Sequence, residues 1–402
     1  MAKLIDITGK CISGEWGLDD NDGTGIPVLR TTNFTNEGII NYNNIVTRQI
    51  NKAKLDNKYL KHGDIIIEKS GGSDNQPVGR VVYFEGEENK YLFNNFTGLL
   101  RVSDKSTWFP KYVFYTLFSN YQKGGTRAFE NKTTGLHNLK TDSYVSYVEI
   151  KEVSFEEQEE IAQNLDKVIK LISLRKQQLS KLDELVKSRF IEMFGDPISN
   201  PKNLLVKTLK QLSTLITNGN TPKGGSENYV ENGILFLRSQ NIWRNRIELD
   251  DVAYIDEATH RSLKKSSLRY KDILITKTGR INTENSSLGR AALYLGKDNS
   301  ANINGHVYLV RLDGSVVPEY VVTILTSEAY RKYIRKVCVG GIDKRQINLD
   351  QVEDFPIILP PFELQEQFAT FVEQVDKSKF EIQKSLEKLE TLKKALMQKY
   401  FG

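Results

Sequence analysis

The chain contains residue types that could do catalysis, but not in the arrangements catalysis needs. Its four histidines, His62, His137, His260 and His306, form no H-x-x-x-H or H-E-x-x-H pair that would set two imidazoles on one helical face around a metal. The two cysteines, Cys11 and Cys338, lie far apart and outside any C-x-x-C, so they read as unpaired thiols in a reducing cytoplasm. Glu88-Asn89-Lys90 has the E-x-K form of a nuclease centre, yet no partner aspartate on a neighbouring strand is evident. Tandem glycines beginning at 71, 124, 224 and 340 lack the Lys-Ser/Thr that completes a phosphate-binding loop. There is no N-P-P-Y or D-P-P-F loop of the kind that grips an adenine amino group, and no G-x-G turn between a strand and a helix for S-adenosylmethionine. These patterns point to binding by a non-catalytic chain.

The elements that would position such binding residues occur twice. Shifting by 208 brings Val28-Leu29-Arg30-Thr31-Thr32-Asn33-Phe34 onto Phe236-Leu237-Arg238-Ser239-Gln240-Asn241-Ile242, sharing Leu, Arg and Asn. The same shift lays Gly63 to Gly71 on Lys271 to Gly279 with five identities in nine. In each, a turn leads into a buried β-branched strand and then a polar, Gly-containing exit. Pro110-Lys111-Tyr112-Val113 likewise meets Pro318-Glu319-Tyr320-Val321, and each proline suits the first turn of a short helix. Val81 to Phe84, Leu99 to Val102 and Val145 to Ile150 are further strand candidates, and Lys123 to Asn138 reads as a basic, polar loop. Mixed strands and helices without βαβ alternation predict α+β domains.

After each globular half comes a long heptad stretch. Ile161, Leu165, Val168, Ile172, Arg175, Leu179, Leu182, Val186, Arg189 and Met193 step by four and three, and eight of the ten are apolar. Adding 207 gives Phe368, Val372, Val375, Lys379, Ile382, Leu386, Leu389, Lys393, Leu396 and Tyr400, again with eight apolar or aromatic. Ser154 and Glu157 form a capping-box pattern, and Gly195-Asp196-Pro197 is a stop. Arg175, Arg189, Lys379 and Lys393 interrupt the seam, where polar residues fix register and orientation. The predicted domains are 1–153, a helix over 154–195, 196–359, and a helix over 360–402.

Composition sets looser bounds. The length of 402 residues allows about two or three domains, and 39% hydrophobic residues suffices for ordinary cores. A formal charge of +5 suits an anionic partner without demanding one. No apolar run reaches signal-peptide or membrane-span length, so secretion and membrane insertion are not expected.

Four motifs, two of them present twice in register, with a long heptad helix after each half, resemble the DNA-sequence specificity subunit of type I restriction-modification systems. They are the D-I-[IL]-I-x-K-[ST]-G strand and loop, the L-R-x-x-N-[IF] segment, N-G-N-T-P at 218–222, and L-P-P-F-E-L-Q-E-Q-F at 359–368 before the heptads. The first half departs with Ile12-Ser13-Gly14-Glu15-Trp16-Gly17 in place of the Thr-Pro segment, and with Val153-Ser154-Phe155 where the second has Pro360-Pro361-Phe362. The resemblance implies two tandem target recognition domains, each contacting half of a bipartite site in double-stranded DNA, joined by two long antiparallel coiled-coil helices with a pseudo-two-fold internal repeat. It also implies partners: two DNA adenine methyltransferase subunits, and restriction/translocase subunits for cleavage. S-adenosylmethionine, ATP and Mg belong to those partners, and this chain binds no cofactor of its own. A helix of about 38 residues spans roughly 57 Å, on the order of 17 base pairs, as an upper bound on the half-site gap. Two alternatives stay open: a specificity subunit of a modification-only or type II system, and a coiled-coil oligomerisation scaffold.

If the chain reads DNA, loops between strands supply the readers, with Arg or Lys for guanine and Asn or Gln for adenine. The candidates in the first half are Arg30, Thr32, Asn33, Lys69, Ser70, Arg80, Arg127, Lys132, Thr133 and Asn138. In the second they are Arg238, Gln240, Asn241, Arg244, Arg246, Lys277, Arg280, Asn282, Arg290, Lys344, Arg345 and Gln346. The alternative for each is a phosphate contact or a solvated surface residue. For Arg30 and Arg238, placed identically, it is a structural role. Trp243 either stacks at DNA or covers the domain core.

Overall fold

In the computed structural model the chain divides into two compact units, one of Met1–Lys176 with Ser385–Gly402 and one of Gln177–Lys384. The described residues are all but Lys52, Ala53, Lys54, Asp56, Thr134, Gly135, Lys223 and Glu284, together with the side chains of Lys132 and Thr133. Each unit folds by the same plan. In unit one an antiparallel sheet runs in the order Ile12–Ser13, Thr97–Leu100, Ile65–Glu68, Val81–Tyr83. Unit two repeats it as Ser213–Asn218, Val307–Leu312, Ile273–Thr276, Ala291–Leu293. A second sheet in each contains one parallel pair, Ile26–Leu29 with Leu92–Phe93 and Ile234–Leu237 with Ala301–Ile303. The fold is α+β, as the interspersed elements predict.

The aspartate present in both copies of the strand motif locks this sheet. Asp64 is fully buried, and Arg101 on the neighbouring strand grips it with Nε at 2.7 Å and Nη2 at 2.6 Å. Arg311 grips Asp272 in the same way at 2.9 and 2.7 Å. Each carboxylate also accepts the backbone N–H three residues upstream, from Lys61 and Arg269. A fork-to-fork pair with its remaining lone pairs satisfied is the geometry in which a buried charge is tolerated.

Helices Pro110–Gln122 and Pro318–Thr326 start at proline and pack on these sheets. Tyr112 and Tyr320 donate their hydroxyls at 3.0 Å to the carbonyls of Lys151 and Ile358, tying each helix to the segment that leads into the following long helix. Two expected elements differ. The stretch 123–138 is not a plain loop, because Glu130–Thr133 and Leu136–Leu139 pair as antiparallel strands. The stretch 145–150 begins inside a helix, Thr141–Tyr147, and is strand only at Glu149–Ile150. Tyr144, Val145 and Val148 are buried at helical spacing, which outweighs their β-branched character.

The long helices span Phe155–Phe194 and Phe362–Phe401. Ser154 Oγ accepts the Glu157 N–H at 3.2 Å, as a capping box requires. The deeper anchor is a glutamine in the repeated F-E-x-Q-E. Gln158 accepts the Phe109 N–H at 2.9 Å and donates to the Thr107 and Val153 carbonyls. Gln365 accepts from Val317 at 3.1 Å and donates to Pro360. Both are almost wholly buried.

Within each unit the helices run antiparallel. In unit one Ile161 and Leu165, near the start of the first helix, share a core with Leu396, Tyr400 and Phe401 at the end of the second, while Lys176 faces Glu390 at 3.5 Å. In unit two Asp183 meets Lys379 at 2.7 Å, and Phe190 and Phe194 pack on Phe368. All predicted seam positions are buried or half-buried except Arg189, which is exposed and pairs with Glu192. The seam leaves the heptad there: Phe190 and Phe194 take the places expected for Arg189 and Met193. The cause is the aromatic pocket around Tyr320, whose ring lies 5.7 and 5.0 Å from theirs.

Arg311→Met strands the buried Asp272 charge and is expected to destabilise the second domain by about 3–5 kcal/mol. Replacing both partners by apolar residues recovers most of that, and denaturant unfolding of the three variants measures the difference.

Candidate nucleic-acid interface

The segment carrying L-R-x-x-N builds a loop, and its polar groups are spent holding that loop. Asn33 Oδ1 accepts the Arg30 N–H at 3.0 Å while Nδ2 donates to the Asn41 and Asn43 carbonyls. Asn241 does the same with the Arg238 N–H at 2.9 Å and the Glu248 and Asp251 carbonyls. Arg30 Nη2 donates to Asn44, and Arg238 Nη2 to the carbonyl and carboxylate of Asp251. These four candidates therefore hold their own loops together, whereas their neighbours Thr32 and Gln240 are exposed. Gln240 reaches Asp251 at 2.7 Å, and Asp251's carboxyl is held below the usual range by that bond and by Arg238.

Arg80 and Arg290 also turn inward. Arg80 donates to the carbonyls of Phe34 and Thr31 and pairs with Glu68 at 3.2 Å. Arg290 donates to the carbonyls of Ser286, Ile242 and Asn285 and lies 3.9 Å from the Trp243 ring centroid. Trp243 is thus half-buried between the core and Arg290, with Arg246 5.2 Å from the ring.

Of the remaining candidates, Ser70, Lys132, Thr133 and Asn138 lie on a small three-stranded sheet in unit one and Arg280, Lys344, Arg345 and Gln346 on one in unit two. In unit one its strands are Glu130–Thr133, Leu136–Leu139 and Ser70–Gly72. Ser70 and Asn138 are half-buried register partners, and Asn131 lies opposite Asn138. Lys132 and Thr133 belong to this sheet by backbone, but their side chains lie outside the described residues. Lys69 precedes it and donates to Ser13 at 2.8 Å, and Arg127 donates to the Asp74 carbonyl. Under the hairpin His137 is buried, with Nδ1 2.9 Å from Glu130.

In unit two the strands are Thr278–Arg280, Lys344–Gln346 and Val339–Gly340. Arg280 and Lys344 are exposed and adjacent in register, and Arg280 is 3.3 Å from Asp343. Arg345 and Gln346 are half-buried, bonding Gly341 and Asn348. Lys277 lies 5.7 Å over Tyr308, and Asn282 is exposed in the following turn. Arg244 and Arg246 belong to a hairpin, Ile242–Trp243 with Arg246–Ile247, where Arg246 pairs with Glu248 at 2.7 Å. Sequence reasoning missed Ser13, Asn285 and Ser286 beside these candidates, since no motif marks them.

Groups suggestive of catalysis are dispersed. Glu88 caps the His62 N–H, and Lys90 pairs with Glu87. Among the described residues no three His, Cys, Asp or Glu gather in a way that could hold a metal, and no helix is long and apolar enough to cross a membrane. Both cysteines are free thiols, and burial pushes Cys11 up to about 11.

Asn33→Ala and Asn241→Ala are each expected to cost about 1–3 kcal/mol by orphaning a backbone N–H and carbonyls, while exposed Lys344→Ala stays within about 0.5 kcal/mol of the parent. Thermal denaturation reads the contrast.

Comparison with known proteins gives this architecture its place. The family model described as the type I restriction modification DNA specificity domain matches twice, over residues 1–184 and 201–394. The chain is 23% identical over 412 aligned positions to the type I restriction enzyme StySPI specificity subunit of Salmonella potsdam, covering 98% of this chain and 86% of that one. It is 27% identical over 202 residues to a putative type I restriction enzyme specificity subunit, MjaX, of Methanocaldococcus jannaschii, a match to half of this chain and 46% of that relative's length. Its fold resembles the crystal structure of a type I restriction-modification S subunit from M. genitalium, with a TM-score of 0.61 at 15% identity, covering 100% of this chain and 95% of that one. A structure describing complex assembly and conformational transition of a type I restriction-modification system matches with a TM-score of 0.54 at 16% identity, covering 100% and 96%. With two copies of the domain spanning most of its length, the chain belongs to the type I restriction modification DNA specificity family.

Proposed function

We propose that the chain reads a bipartite DNA target, one half-site for each recognition domain, and that its paired helices fix the gap while presenting their outward faces to methyltransferase subunits. The observation that carries this reading is the duplication itself: two specificity domains in one chain, each closed by the ends of two antiparallel helices. A protein with two unlike reading surfaces has a split, asymmetric target. The small sheets and their flanks supply the base contacts, with Ser70, Lys132, Thr133 and Asn138 in the first domain and Lys277, Arg280, Lys344, Arg345 and Gln346 in the second. Arg and Lys there suit guanine, and Asn and Gln suit adenine. Two methyltransferase subunits and a translocating nuclease supply the chemistry, with S-adenosylmethionine, ATP and Mg bound on them, in the cytoplasm.

Selection from a randomised duplex library with the full chain is expected to enrich two short half-sites at one fixed gap. Salt-sensitive binding without sequence enrichment contradicts the proposal, because that is the signature of phosphate contacts alone. Removing two heptads from each helix is expected to shorten the gap and leave both half-sites intact; an unchanged gap rejects the spacer role.

A further inference from the structure

The duplication allows the two domains to be compared group by group, and one buried charge is treated differently in them. Arg80 and Arg290 occupy equivalent places, each following a glycine and leading the edge strand of the main sheet, Val81–Tyr83 or Ala291–Leu293. In unit one the neighbouring strand supplies a counter-ion, Glu68, 3% exposed and 3.2 Å from Arg80. Burial raises the Glu68 carboxyl above its ordinary range, and Arg80 opposes part of that rise. In unit two that position is Thr276, whose hydroxyl donates to the Ser287 and Arg290 carbonyls and accepts the Arg290 N–H. Arg290 is 8% exposed, and among the described residues its guanidinium donates to carbonyl oxygens alone. Burial depresses its ionisation, and Arg244 and Arg246 add to the effect, while the carboxylate that opposes them, Glu248, is held by Arg246. Among the described residues no carboxylate pairs with the Arg290 guanidinium, which the carbonyls and the Trp243 ring hold with dipoles and a π face instead of a full negative charge.

Beside it lies an open pocket of about 340 Å³, lined by Gln240, Trp243, Arg280, Asn285 and Ser286 together with Arg290. Among the described residues no carboxylate lines it. The pocket joins the loop after L-R-x-x-N to the first strand of the small reading sheet, and the Trp243 indole N–H is buried without a hydrogen-bond partner.

We infer that this pocket of the second domain is a phosphate seat for the DNA backbone, with Arg290 as its buried cation and Arg280 as its exposed one, and that the first domain has no counterpart because Glu68 neutralises Arg80. The inference rests on the DNA-reading role proposed above. It assigns a positioning function, since a phosphate contact fixes the register of a domain on the duplex and carries no sequence information. A phosphate suits the site better than a base edge because the buried group is a full charge that, among the described residues, faces carbonyl oxygens and no carboxylate.

The direct test is Thr276→Glu, which gives unit two the counter-ion that unit one has. In salt titrations with the full chain and the duplex its parent form selects, T276E is expected to bind about tenfold more weakly, the value of one charge-assisted hydrogen bond. The loss is uniform across base substitutions, and the slope of log affinity against log salt falls by about 1. Because a larger side chain at a buried site can unfold the domain, scanning the second half-site with single methylphosphonates on the parent chain serves as a check that needs no mutant. One neutralised phosphate is then expected to reproduce the loss. An unchanged slope in T276E, a loss confined to particular bases, or a methylphosphonate scan with no sensitive position overturns the phosphate seat. Parent protein that selects no sequence overturns the DNA-reading proposal as well, so the two failures are distinguishable.

Discussion

Everything in this chain depends on a packing constraint: neither recognition domain can close its apolar core with contiguous sequence. In unit two Phe190 and Phe194 from the end of the first long helix meet Phe368 from the start of the second, and all three rings crowd within 5.0–5.7 Å of one another or of Tyr320. Unit one repeats the arrangement with Ile161 and Leu165 beside Leu396, Tyr400 and Phe401. Aromatic burial on this scale dominates local stability. A domain whose core is completed by two helix ends fixes those ends in turn, and the helices are thereby committed to antiparallel pairing in each unit.

The polar groups shared by the two halves serve the same constraint. Asp64 with Arg101 and Asp272 with Arg311 pin the main sheet, Gln158 and Gln365 pin the start of each long helix, and Asn33 and Asn241 hold the loop between the sheets. What the halves do not share sits on the small sheets and around Arg290. Under the proposed function, the groups the halves share are scaffold and the groups they do not share are the readers.

The architecture was legible because it is written in periodicity: heptads of the right length, a capping serine, strands with β-branched runs and helices led by proline. The site was less legible, for a physical reason. Arg30, Asn33, Arg238 and Asn241 have the donors and acceptors that base reading needs, but those are the same groups that satisfy a buried loop backbone, and sequence alone does not say which use prevails. Repetition in both halves was the available signal, and it points to scaffold. The strands Glu130–Thr133 and Leu136–Leu139 read as loop in the sequence because the first is wholly polar and the second has its two leucines three apart, so neither shows the two-residue period of a strand. The shift from Arg189 to Phe190 in the seam is set by Tyr320, more than a hundred residues away in sequence, so no local pattern reveals it.

The most direct measurement of this account is a structure of the full chain bound to its selected duplex, sorted contact by contact into base edge and backbone. The account predicts side chains of the small sheets, Asn138 in one domain and Lys344, Arg345 or Gln346 in the other, against base edges, with Asn33 and Asn241 still bonded to their own loop carbonyls. Base edges read instead by Arg30, Asn33, Arg238 and Asn241, with those loops rearranged, would contradict the division between shared scaffold and unshared readers.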